Sequence, residues 1–157
     1  MFKNDMSKTH NIINRLERYA FKNLSGFTIE YKKDRIRRVI PSEKKRYCIG
    51  IQKPLIETYF NRKIIHYENF RFLEYNNYIG GYYDKTNELY IIELILILPD
   101  KQKSINTGIF YKQYSIYDLL LNKEIVLNEK PKNIPYKILD YIHNKNKYDK
   151  EDNMGVC

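Results

Sequence analysis

The stretch "NNYIGGYYDKTNELYIIELILIL", residues 76–98, decides the fold. Two strand-like runs, residues 78–84 and 88–98, flank "DKTNE", whose Asp, Thr and Asn suit a short hairpin loop. Residues 94–98 are apolar without alternation, which predicts a central strand covered on both faces. Gly80 and Gly81 fit either a place where a neighbouring element comes too close for side chains or a bulge in the strand.

Outward from this hairpin, residues 7–24 read as an amphipathic helix. Ile12, Ile13, Leu16, Tyr19, Ala20 and Leu24 recur at helical spacing. Ser7 or Thr9 suits its N-cap, and Gly26 its stop. "GFTIEYKK" then alternates Phe27, Ile29 and Tyr31 with polar residues, as a half-buried strand does, and "YCIGIQ" reads as a second strand. Residues 55–76 lean towards helix, with a break near residues 61–63. Their expected buried stripes are Leu55, Ile56, Tyr59 and Phe60, then Phe70, Phe72 and Leu73. Residues 100–113 predict a helix that Gly108 weakens by about 1 kcal/mol. Two short strands follow around Leu121, Asn122 and Lys123, then a last helix over residues 134–147, with a disordered tail expected from residue 144. These readings give one α+β domain over residues 1–143. Its antiparallel or mixed sheet is centred on the 78–98 hairpin and packed by the N-terminal helix and the later ones.

Composition narrows the class. No apolar leader follows the polar start "MFKNDMSKTH", and Glu93 interrupts the longest apolar run, which is half the length of a membrane helix. The expectation is a soluble, cytoplasmic protein with no membrane partner. Cys48 and Cys157 form neither a disulfide framework nor a metal-binding pair. The formal net charge is +9, and residues 1–60 hold 14 Lys or Arg against 6 acidic residues. Such a concentration attracts phosphate or an acidic protein surface. The competing reading is an AT-rich genome that writes lysine freely onto surfaces.

Lys32, Lys33, Arg35, Arg37, Arg38, Lys44, Lys45 and Arg46 concentrate that charge. On a hairpin, alternate side chains would project from one face and track phosphates, Lys as point charge and Arg as a planar fork. Tyr31 and Tyr47 flank the segment and are candidates for stacking on unpaired bases, with Tyr83 a candidate interface residue. The alternative is a solvated edge strand whose charge resists pairing with other sheets. Tyr82 and Tyr90 read as structural. His66 near Glu68 is the one candidate acid–base pair, set against a lone surface histidine. His10, His66 and His143 lack a second ligand at metal-binding spacing, and no phosphate loop, dinucleotide glycine motif, nucleophile elbow or zinc-protease motif occurs. No cofactor, metal or catalytic residue is therefore expected.

"YIGGYYDKTNELYIIE" followed by "QYSIYDLLLNKEI" resembles a domain carried by phages and plasmids. That domain's pattern runs Gly-Gly-Trp, Asp, Thr-Gly and Tyr, then a helix, then Gln, Asp-Leu and Gly-Lys. Gly80, Gly81, Asp84, Thr86, Tyr90, Gln113, Tyr117, Asp118, Leu119 and Lys123 fall on it. Tyr82 replaces the Trp, Asn87 the turn Gly, and Glu93 an Asp. The resemblance spans about residues 46–127, leaving the first helix and basic strands as additions. It carries no enzymatic role. It implies a stand-alone mobile-element protein similar to anti-CRISPR inhibitors, one that binds a host defence nuclease or its guide RNA. The alternatives are a small DNA- or RNA-binding accessory protein and an RNase-like or modifying enzyme.

Overall fold

Residues 6–127 are described by a computed structural model. The elements run α1 (Met6–Lys22), β1 (Phe27–Lys32), β2 (Arg35–Arg38), β3 (Tyr47–Tyr59) and β4 (Lys63–Ile65), then a 3-10 helix (Tyr67–Glu74). β5 (Tyr78–Asp84), β6 (Leu89–Leu98), α2 (Lys101–Phe110), β7 (Ser115–Asp118) and β8 (Lys123–Val126) follow. The pairs β1–β2, β1–β5, β5–β6, β3–β4, β3–β7 and β7–β8 are antiparallel. The α+β class read from the sequence is the one that forms. The last helix and tail expected from residue 134 onward lie outside the described residues. The chain divides into two compact units, residues 6–39 with 52–95, and residues 40–51 with 96–127.

In the first unit, α1 buries Ile12, Ile13, Leu16 and Ala20, as its three- and four-residue spacing requires. Leu24 falls beyond the helix end and is 67% exposed, so it leaves the stripe expected of it. β5 and β6 pair from Ile79 opposite Leu94 to Asp84 opposite Leu89. Leu94 and Ile95, adjacent and so on opposite faces, are both buried, with Ile92 on the Leu94 face, so this strand is covered on both sides. The glycine pair has a spatial cause rather than a bulge. A Cβ on Gly81 would lie 2.2 Å from Phe27 Cε1, and one on Gly80 would lie 3.1 Å from Ile95 Cγ2. The Phe27 ring lies edge-on to Tyr19 of α1, with centroids 5.0 Å apart, and stacks with Tyr90. Burial of large rings at this point thus depends on a strand neighbour with no side chain.

The helix expected from residue 55 is a correction. Residues 47–59 form the long strand β3, which turns back through Phe60 and Asn61 into β4. Leu55 and Ile56 are both fully buried, Tyr59 is half-buried and Phe60 is 99% exposed. Burial of adjacent residues reflects a strand covered on both faces, which short apolar stretches do not distinguish from helix. Phe70, Phe72 and Leu73 are buried as expected, but from a 3-10 helix.

In the second unit, Tyr47, Ile49, Leu96 and Ile116 form a buried cluster, against which Ile105, Tyr111, Ile125 and Leu127 pack. Asp100 caps α2 by accepting a hydrogen bond from the Lys103 backbone N–H at 2.8 Å. Gly108 sits within α2 where a Cβ would come 2.6 Å from Leu127 Cδ1. The loss in helix propensity at that position is exchanged for close packing.

Candidate anion-binding hairpin

The strongest concentration of charge forms the β1–β2 hairpin. Its two loop residues, Lys33 and Asp34, have φ of 51° and 61°. Both are left-handed, the geometry of a type I′ turn, which matches the twist of the flanking strands. Neither residue is glycine, and a left-handed non-glycine residue costs roughly 1–2 kcal/mol. Contacts from α1 and β1 hold this turn. Arg15 Nη1 donates to the Asp34 carbonyl at 2.8 Å, and the Tyr31 hydroxyl donates to Asp34 Oδ1 at 3.0 Å. Lys8 Nζ lies 3.6 Å from the same carboxylate oxygen.

Register then sorts the cations. Arg35 stands opposite Lys32 and Arg37 opposite Glu30, on one face of the hairpin. On the other, Ile36 stands opposite Tyr31 and Arg38 opposite Ile29. Arg38 Nη2 reaches Asn23 Oδ1 at 3.4 Å, a contact to a neutral acceptor. Lys32, Lys33, Arg35, Arg37 and Arg38 are exposed and form no ion pair with any described residue. Like charges directly opposite each other, as Lys32 and Arg35 are, repel unless an anion lies between them. A depression of about 560 Å³, bordered by Ser7, Lys8, Asn11, Ile12, Tyr31 and Asp34, adjoins the turn. Its two charged residues, Lys8 and Asp34, face each other, so the surplus charge lies on the strands and not there.

Not every residue singled out from the sequence belongs to this surface. Lys44, Lys45 and Arg46 fall in the second unit. Lys44 and Lys45 are exposed, whereas Arg46 is taken. Its Nε lies 3.1 Å from Asp118 Oδ1 and its Nη2 lies 3.0 Å from Oδ2, a two-point clamp. The same carboxylate accepts the backbone N–H groups of Leu120 and Leu121, which closes the β7–β8 turn. The hydrogen bonds from Arg46 hold the Asp118 carboxyl below the usual range. Arg46 is thus a structural cation, a correction to its expected role.

Tyr31 and Tyr47 are corrected likewise. Each is buried, Tyr31 on the α1 side of β1 and Tyr47 in the second unit's cluster, so neither offers a face to a base. Burial, then the hydrogen bond to Asp34, pushes the Tyr31 hydroxyl up to about 12. Tyr83 is 47% exposed and remains open to a partner.

A second polar group in the first unit is not legible from local spacing. His66 Nε2 lies 2.6 Å from Glu57 Oε2 on β3, while Glu68 Oε1 is 3.7 Å from Nδ1. The imidazole therefore pairs with Glu57 more closely than with the expected Glu68. Glu93 on β6 is buried, and that burial, followed by the charge of Glu57, raises its carboxyl to about 7. Burial and the charges of Glu93, Asp84 and Glu57 also raise the Tyr82 hydroxyl. No group of three metal-binding side chains occurs among the described residues.

The patterned residues are mostly occupied with structure. Asp84 Oδ1 accepts the backbone N–H groups of Thr86 and Asn87, and Asn87 Nδ2 donates to Oδ2 at 2.8 Å, which fixes the β5–β6 turn. The Tyr90 hydroxyl donates to the Asn23 carbonyl at 2.7 Å, and Gln113 Nε2 donates to the Tyr111 carbonyl. Among the described residues no helix is long and apolar enough to cross a membrane. No protein-family model, curated protein or solved structure matches the chain.

Proposed function

We propose that the protein binds nucleic acid through the β1–β2 hairpin. We further propose that it serves a mobile element as an anti-CRISPR-like inhibitor, engaging a host defence nuclease through its guide RNA. The observation that carries the binding reading is the hairpin itself: five exposed cations, unpaired with any described carboxylate, on a turn held by α1. Arg35 and Arg37 share one face with Lys32, at the two-residue spacing at which strand side chains repeat. Glu30 stands opposite Arg37 on that face, and phosphates supply further anions for Lys32 and Arg35. The inhibitor role is supported by the resemblance of residues 46–127 to a phage and plasmid domain.

The test reverses Arg35, Arg37 and Arg38 to Glu and follows RNA binding by fluorescence anisotropy across a salt series. Wild type is expected to bind with a salt slope of about −0.7 per phosphate contacted on a single strand. The triple variant is expected to lose at least about 100-fold in affinity, since three attractions become repulsions. It should melt at the wild-type temperature, because these side chains are solvated. Binding that survives the reversal removes the hairpin as the contact.

A further inference from the structure

The first unit carries a second exposed surface, at the β3–β4 turn and the outer face of α1. The Tyr59 backbone N–H donates to the Arg62 carbonyl at 2.8 Å, which closes the chain around Phe60 and Asn61. Phe60 stands at that tip 99% exposed, and Phe21 on α1 is 80% exposed. The Glu17–Lys63 ion pair, 2.9 Å long, joins the two elements. Phe21 lies one helical turn beyond Glu17 on the same face, and Phe60 precedes Lys63 in the turn. Phe21 thus lies on the helix, and Phe60 in the turn leading to β4, that this ion pair links.

Charge identifies what such a surface suits. Lys63 takes the Glu17 carboxylate. Arg18, Lys22 and Arg62 are exposed and form no ion pair with any described residue. The Arg62 guanidinium lies over the Tyr59 ring, 4.7 Å from its centroid, and so is held beside the tip. Aromatic faces open to solvent among uncompensated cations are the elements of a single-strand site, where bases stack on rings and phosphates meet the cations. A duplex keeps its base faces within the stack and has nothing to offer Phe21 or Phe60.

We infer that Phe21 and Phe60 stack unpaired bases, making the nucleic acid bound by this protein single-stranded. This inference rests on the nucleic-acid reading of the β1–β2 hairpin. It adds the strandedness of the ligand and a second contact.

Anisotropy with a labelled RNA single strand of about 16 nucleotides, and with a duplex of the same sequence, tests it. The proteins compared are wild type, F21A/F60A and the Arg35, Arg37 and Arg38 reversal. Wild type is expected to prefer the single strand. F21A/F60A should lose at least about fivefold on the single strand, the lower end of stacking on one base, and nothing on the duplex. Circular dichroism should show F21A/F60A folded as wild type, since both side chains point to solvent. F21A/F60A binding the single strand as wild type does, while the charge reversal weakens both ligands, overturns the stacking and leaves the hairpin reading standing. Wild type binding neither ligand overturns both readings and points the two phenylalanines to a protein partner.

Discussion

The β1–β2 and β5–β6 hairpins are hydrogen-bonded neighbours, Thr28 standing opposite Gly80 and Glu30 opposite Tyr78. They use their residues in opposite ways. β5–β6 spends two glycines on close packing and seals its turn with its own Asp84. β1–β2 lies at the end of the strand order, keeps a left-handed turn of charged residues, and takes its restraint from α1. The cations without an ion pair lie on the second of these.

The largest effect that would sharpen this contrast is a pH effect on the central hairpin. Glu93 titrates near 7 when folded and near 4.5 when free, so the folded state holds the proton over that interval. Stability contributed by this group is complete below pH 4.5 and is lost as pH rises through 7, by about 3 kcal/mol in all. Denaturant melts at several pH values should show that fall, and Glu93→Gln should flatten it. An unchanged slope in the variant would mean that another group titrates there.

Next comes Gly81→Ala, which forces a Cβ against a Phe27 ring already flanked by Tyr19 and Tyr90. The expected cost is about 2 kcal/mol in a denaturant melt, the range for overpacking. A neutral result would show that the ring swings aside, and the close approach would not explain the glycine. Smallest is Asp34→Ala, which removes the acceptor for the Tyr31 hydroxyl and the partner of Lys8. About 1 kcal/mol of stability should be lost. Affinity for RNA should also fall, because the cations flanking the turn lose their fixed aim. If Asp34→Ala left affinity untouched, the pinned turn would not matter to binding.

Much of this fold is legible in the sequence. The buried face of α1 and the β5–β6 hairpin each carry a periodicity or turn signal in adjacent residues. Alternation along β1 also foretold the burial of Tyr31, which shares a face with Phe27 and Ile29. A stacking role for Tyr31 runs against that parity. Residues 55–60 misled because Leu55, Ile56, Tyr59 and Phe60 satisfy helical spacing equally well. The capture of Arg46 by Asp118 and the pairing of His66 with Glu57 had no local signal at all. The first joins residues from distant parts of the chain, and the second depends on the β3–β4 hairpin, which the helical reading of residues 55–76 hides. The same helical spacing puts Phe60 in an expected buried stripe, whereas it stands at the tip of the β3–β4 turn.

The restraint of the β1–β2 turn has a calorimetric consequence. A loop whose backbone is already ordered has little conformational freedom left to lose when a polyanion arrives. Heat measurements on the proposed complex should then find an entropy dominated by released counterions, favourable and shrinking as salt is added. The hairpin itself should add little to the heat-capacity change, because little apolar surface leaves water at lysine and arginine, so any sizeable change should vanish in F21A/F60A.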